Sequence, residues 1–115
     1  MQALLLRGFF KIRMSLVQKD PLIAYVQEQA RATPFIERVI LFGSRARGDA
    51  KERSDYDLAF GAPNASDADW ARFCLNLEEN APTLCKLDLV RLGSPMRKEL
   101  RNHILSEGKT IYERK

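Results

Sequence analysis

The chain has 115 residues, 45% hydrophobic and 30% charged, with a formal net charge of +4. That length allows one small domain with a single core and leaves little room for a second, substrate-binding domain. The charge invites a nucleic-acid reading, but Arg7, Lys11, Arg13 and Lys19 precede the first acid, Asp20, leaving fifteen Lys and Arg against fifteen Asp and Glu from Asp20 onward; a neutral core without an aromatic platform argues against nucleic acid as a partner.

Residues 1–19 read as a basic leader. Leu4-Leu5-Leu6 and Phe9-Phe10 are interrupted by Arg7, Lys11 and Arg13, so the stretch has neither the apolar centre nor the cleavage site of a signal peptide. Met14 is an alternative start that would make residues 1–13 an upstream extension; a flexible or partner-docking arm is the other reading. No stretch is long and apolar enough to span a bilayer. Cys74 and Cys85 lie far from any histidine cluster, which fits reduced thiols in a cytoplasmic protein rather than a zinc site.

From residue 20 the chain reads as one domain, 20–115. Asp20-Pro21 opens a helix, with Asp as N-cap and Pro at the first helical position. Leu22, Ile23, Val26 and Ala30 form its apolar face, and Thr33-Pro34 ends it. A buried strand follows at about Arg38–Phe42, then a short helical turn over 45–50 that Gly48 closes with a positive φ, then a polar loop. A second strand covers about Tyr56–Phe60. Ser66-x-x-Asp69 resembles a capping box ahead of a helix with Trp70, Phe73, Cys74 and Leu77 at helical spacing, which reads the lone Trp and Cys74 as packing residues. Lys86–Val90 is a third strand. Ser94-Pro95 caps a last helix, buried through Met96, Leu100 and Ile104 and stopped by Gly108; Thr110–Tyr112 is a short final strand or a packed tail. The pattern is α+β, a small mixed β-sheet covered by helices in one layer pair.

The chemistry gathers between the first two strands. Alternation puts Asp55 and Asp57 on one face and Tyr56, Leu58 and Phe60 on the other. Two like charges on one face weaken a purely structural strand, and a divalent cation is the economical reason to keep them. Asp88, alternating against Leu87 and Leu89, is the candidate third carboxylate, as a ligand or as the base for an attacking hydroxyl; an exposed strand carboxylate is the alternative. Gly43-Ser44 ends the first strand where glycine lets the backbone approach an anion, although alone it would read as a simple turn. Arg45 and Arg47 either neutralise phosphate charge or are solvated loop residues, with Arg45 the stronger candidate.

Gly43-Ser44, ten residues, then Asp55-x-Asp57 resembles the signature of the DNA polymerase β-like nucleotidyltransferase superfamily. The chain's size and its Gly-Ser-Arg-x-x-Gly form resemble the minimal nucleotidyltransferases, often encoded beside a HEPN-domain protein. The resemblance implies the polymerase β-like fold, with Asp55, Asp57 and Asp88 as catalytic residues and ligands of two magnesium ions. It also implies Gly43, Ser44 and Arg45 as the nucleotide-binding set, with the β- and γ-phosphates at Gly43-Ser44. The activity it implies is magnesium-dependent transfer of a nucleoside monophosphate, AMP from ATP, to a hydroxyl of a helical HEPN-type partner in a toxin–antitoxin pair. A non-catalytic antitoxin of the same fold, or transfer to a small molecule or RNA with a separate substrate-binding subunit, are the alternatives.

Overall fold

The computed structural model describes residues 20–115; the basic leader expected over residues 1–19 lies outside them. Helix α1 (Pro21–Arg31) begins as its sequence dictates, with an Asp20 carboxylate oxygen accepting from the Leu22 amide at 2.9 Å. Strand β1 (Arg38–Phe42) leads into a single helical turn, α2 (Ser44–Arg47), and then into β2 (Tyr56–Gly61). Helix α3 (Asp67–Glu79) is capped by Ser66 Oγ, which accepts from the Asp69 amide at 3.0 Å. Strand β3 (Leu87–Arg91), helix α4 (Lys98–Glu107) and strand β4 (Lys109–Glu113) complete the chain.

The four strands form one mixed sheet in the order β3-β2-β1-β4. β1 is antiparallel to β2 and to β4, whereas β2 and β3 are parallel. A parallel pair needs a crossover, and α3 supplies it. The final segment is therefore an edge strand rather than a packed tail.

Alternation along the strands divides the apolar residues between two faces. Val39, Leu41, Tyr56, Leu58, Phe60 and Leu87 join α1 (Leu22, Ile23, Val26, Ala30) and α3 (Phe73, Leu77) in the main core. Trp70 packs here, 5.5 Å from the Phe60 ring in an edge-on contact, in keeping with a packing role. The opposite face carries a smaller cluster of Ile40, Phe42, Ala59 and Ile104, bordered by Val90, Leu92, Met96 and Leu100. Helices thus cover both faces, correcting the expectation of a single layer pair: Leu100 and Ile104 of α4, with Met96 from the segment before it rather than from the helix itself, meet the even-numbered residues of β1.

The start of α4 also differs from expectation. It starts at Lys98 with Arg97 at the N-cap and no side-chain cap, so Ser94-Pro95 does not open it. The chain leaves β3 through Gly93 at φ +90 and remains non-helical to Arg97, a path that carries Met96 back to the sheet. At its other end Gly108 stops the helix as expected, in an extended conformation (φ −67, ψ 143). Glycine stands there because a Cβ would strike the Ile104 carbonyl oxygen and the Ile40 side chain.

Candidate active site

The apolar run Val39–Phe42 has a residue on each side of the sheet and both sides are covered, so the strand is buried to its last residue. It must then turn sharply. Gly43 takes φ +74 and ψ −156, a conformation open only to glycine, and a Cβ there would collide with a carboxylate oxygen of Asp57. The backbone of the turn therefore lies directly against that carboxylate. Ser44 starts α2, and Gly48 closes it in the left-handed region at φ +89, as its position in the sequence suggested.

Register brings the aspartates together. Phe42 of β1 stands opposite Asp57, and the parallel pairing of β2 with β3 aligns Asp57 with Asp88. Asp57 is half-buried and Asp88 exposed. Burial raises the Asp57 carboxyl above its ordinary value; the negative charges of Asp88 and then Asp55, and a hydrogen bond to Asp88, raise it further, and only Arg47 opposes them. Asp57 thus holds its proton more tightly than a free aspartate, as expected of carboxylates crowded on one face.

Asp55 precedes the first residue of β2 and is exposed. Its charge reaches Asp57, yet among the described residues no three His, Cys, Asp or Glu side chains close into a single metal-ligand group. The carboxylates that could hold a cation are the aligned Asp57–Asp88 pair, with Asp55 just before the strand. That suits magnesium, which keeps several waters and binds through one or two carboxylates together with substrate phosphates. The hollow of about 220 Å³ beside α4, lined by Leu92, Met96, Ile104 and Leu105, contains none of these aspartates.

The two arginines of α2 part company. Arg47 bridges Asp49 (3.2 Å) and Glu107 (3.1 Å), at the end of α4, and its charge is felt at Asp57. Arg45 goes to the other side of β2: its guanidinium lies 4.1 Å over the ring of Tyr56, a main-core residue, and Nη2 donates to the carbonyl oxygens of Ser54 at 2.9 Å and Glu52 at 3.1 Å. Of the two, Arg47 is the one whose charge acts on the Asp57 carboxyl. Residues two apart on a helical turn point about 200° apart, but nothing in the sequence says which of the two turns toward the carboxylates.

The family model for polymerase β nucleotidyltransferases matches residues 24–115. The chain belongs to the polymerase β nucleotidyltransferase family. Among solved structures, this family member is similar to a toxin–antitoxin crystallised with AMP-PNP (22% identity, 81% of this chain and 74% of that one, TM-score 0.64). It is also similar to the toxin–antitoxin MntA-HepT (20% identity, 80% and 70% covered, TM-score 0.57). A candidate nucleotidyltransferase from Sulfolobus solfataricus shares 23% identity over 90% of this chain and 84% of that one, with a TM-score of 0.53. At these identities the likeness is one of fold, and it agrees with the α+β mixed-sheet architecture. No curated protein matches the chain. In this nucleotidyltransferase fold no helix of the described residues is long and apolar enough to cross a membrane.

Proposed function

We propose that the chain is a magnesium-dependent nucleotidyltransferase that transfers AMP from ATP to a hydroxyl of a helical partner protein, as the antitoxin member of a toxin–antitoxin pair. The observation that carries this reading is the strand register that sets Asp57 beside Asp88 with the Gly43 backbone against the Asp57 carboxylate. A structural role gives no reason to crowd acids there, because the crowding disfavours their ionised forms.

In such a transfer a hydroxyl oxygen attacks the α-phosphorus in line, the bond to the β-phosphate oxygen breaks, and pyrophosphate leaves. Asp57 and Asp88 would hold the cation with Asp55 beside them, and bound magnesium supplies the positive charge that the attacking and leaving oxygens require. Asp88, the more exposed of the aligned pair, is suited to accept the proton of the attacking hydroxyl. Gly43 and Ser44 would orient the β- and γ-phosphates through backbone amides at the start of α2, where a helix's first N–H groups lack internal partners. Arg47 offsets negative charge next to Asp57. In the solved relatives an AMP-PNP complex and MntA-HepT assemblies support a nucleotide substrate and a protein partner for this chain as well.

The test is to incubate the chain with ATP, magnesium and the helical protein encoded beside it, and to weigh that protein by mass spectrometry. Added adenylyl mass with wild type, and none with Asp55→Asn or Asp57→Asn, is the expected result. Mass gained instead by RNA or an aminoglycoside would overturn the protein acceptor but keep the reaction. A stable complex in which nothing gains mass would favour an antitoxin that acts by binding alone.

A further inference from the structure

Asp55 lies between Ser54 and Tyr56, and one side chain touches both neighbours. Arg45 Nη2 donates to the carbonyl oxygen of Ser54, which belongs to the peptide group that leads into Asp55, and to that of Glu52 two residues earlier. The guanidinium plane stacks over the Tyr56 ring, and the same nitrogen reaches Cys85 Sγ at 3.6 Å. Tyr56 is anchored in turn, its hydroxyl donating to Asp20 at 2.7 Å. The turn that Arg45 grips is closed on itself: the Ser54 amide donates to the Lys51 carbonyl at 3.0 Å, and the Lys51 amide to Ser54 Oγ at 2.8 Å. Arg45 Nε is buried without a partner, so its contacts are made at the far end of the side chain, through Nη2 and the guanidinium plane.

We propose that Arg45 is a positioning residue for Asp55, tying the segment that carries Gly43 and Ser44 to the turn that delivers the strand-entry carboxylate. The two halves of the motif are joined by ten residues that include a polar loop, and β1–β2 pairing ends at Phe42 and Asp57. Beyond that pair Asp55 has no ladder partner on β1; after it the Tyr56 amide donates to the Lys86 carbonyl at 3.0 Å, and before it the Arg45 tie holds the peptide group that leads into it. This assignment replaces the expectation of Arg45 as a nucleotide ligand, since its guanidinium stacks on the residue that alternation turns away from Asp57. The role rests on the nucleotidyltransferase reading, whereas the tie itself does not.

Arg45→Lys and Arg45→Gln in the full chain separate the possibilities. Lysine keeps the charge but loses the plane that stacks on Tyr56 while Nη2 reaches the two carbonyls, so both variants should behave alike. In metal-free protein, amide hydrogen exchange over residues 51–56 should quicken about tenfold in both, with α1 and β1 unchanged, as for local opening. In transfer assays the magnesium concentration giving half-maximal rate should rise about tenfold in both, while the KM for ATP at saturating magnesium moves less than about twofold, because cation ligation rather than nucleotide contact is disturbed. A KM for ATP that rises in Arg45→Gln and is restored in Arg45→Lys would make Arg45 a phosphate ligand and overturn the proposal. Unchanged exchange over residues 51–56 would overturn it too, as would exchange quickened evenly across the whole fold, which marks a merely structural residue. If wild type transfers nothing, the enzymatic reading fails, and the exchange result still decides whether the tie exists.

Discussion

The two faces of the sheet differ in what they enclose. On one, α1 and α3 seal a core in which Leu22, Val26, Val39, Leu58 and Phe60 are essentially inaccessible. On the other, α4 covers only a patch around Ile40, Phe42 and Ala59, and the next positions along β2 and β3 carry Asp57 and Asp88 instead of further apolar residues. Stability is thus concentrated on the closed face, which leaves the open face free to hold groups that repel one another. The strands common to both faces transmit the rigidity of the first to the second, so that crowded carboxylates keep their register.

The sharpest way to break this contrast is to hollow out the closed face. Phe60→Ala removes a fully buried ring that meets Trp70 and Phe73 edge-on and should cost about 3–5 kcal/mol, read from urea unfolding. A cost below about 1 kcal/mol would mean that the closed face is not the seat of stability.

On the open face the effect should invert. Asp57→Asn keeps the shape of the side chain but removes its charge. It should cost transfer about 3–4 kcal/mol of transition-state stabilisation, by analogy with the loss of one well-aimed electrostatic partner, while the melting temperature holds or rises. A variant melting well below wild type would make Asp57 structural, and retained transfer would sink its role as a ligand.

Gly43 is where the two faces meet, and Gly43→Ala should register on both scales. The positive φ and the collision with Asp57 together predict a loss of about 1–3 kcal/mol in stability along with loss of transfer. Adding Asp57→Ala should return part of the stability, because the colliding oxygen is gone while the Asp57 Cβ sits at an ordinary 3.4 Å. No recovery in the double variant would place the whole cost in the backbone.

The smallest effect is one of pH, and its sign follows from the raised Asp57 carboxyl. The folded state binds that proton more tightly than the unfolded chain does, so ionising Asp57 works against folding. Below the ordinary value of 3.8 the group is protonated in both states and contributes no difference. As pH rises from there through the raised folded value, wild type loses stability relative to Asp57→Asn, and the difference is complete above it. Urea midpoints of the two proteins measured against pH in EDTA should diverge in that window, with the variant the more stable; parallel curves would show that Asp57 is not crowded.

Local chemistry in the sequence was enough to determine the helix start at Asp20-Pro21, the cap at Ser66, and the facing of the second and third strands. Those features depend on residues within one or two turns of each other: a carboxylate reaching an amide two positions away, or side chains alternating about a pleat. The same alternation separated Asp57 from Tyr56 and Asp88 from Leu87 and Leu89 before any pairing was known. What alternation lacks is register. Thirty residues separate Asp57 from Asp88, and only the crossover through α3, packed by Phe73 and Leu77 on the closed face, sets β3 beside β2 so that the two carboxylates align. The placing of α4 on the opposite face, and the role of Gly108 in letting it approach Ile40, were likewise tertiary matters, since an apolar helix face does not say which side of a doubly apolar strand it will meet. The same holds for the arginines of α2: their spacing sends them to opposite sides of the turn, but which of them grips Ser54 and which bridges to Glu107 depends on where β2 and α4 come to rest.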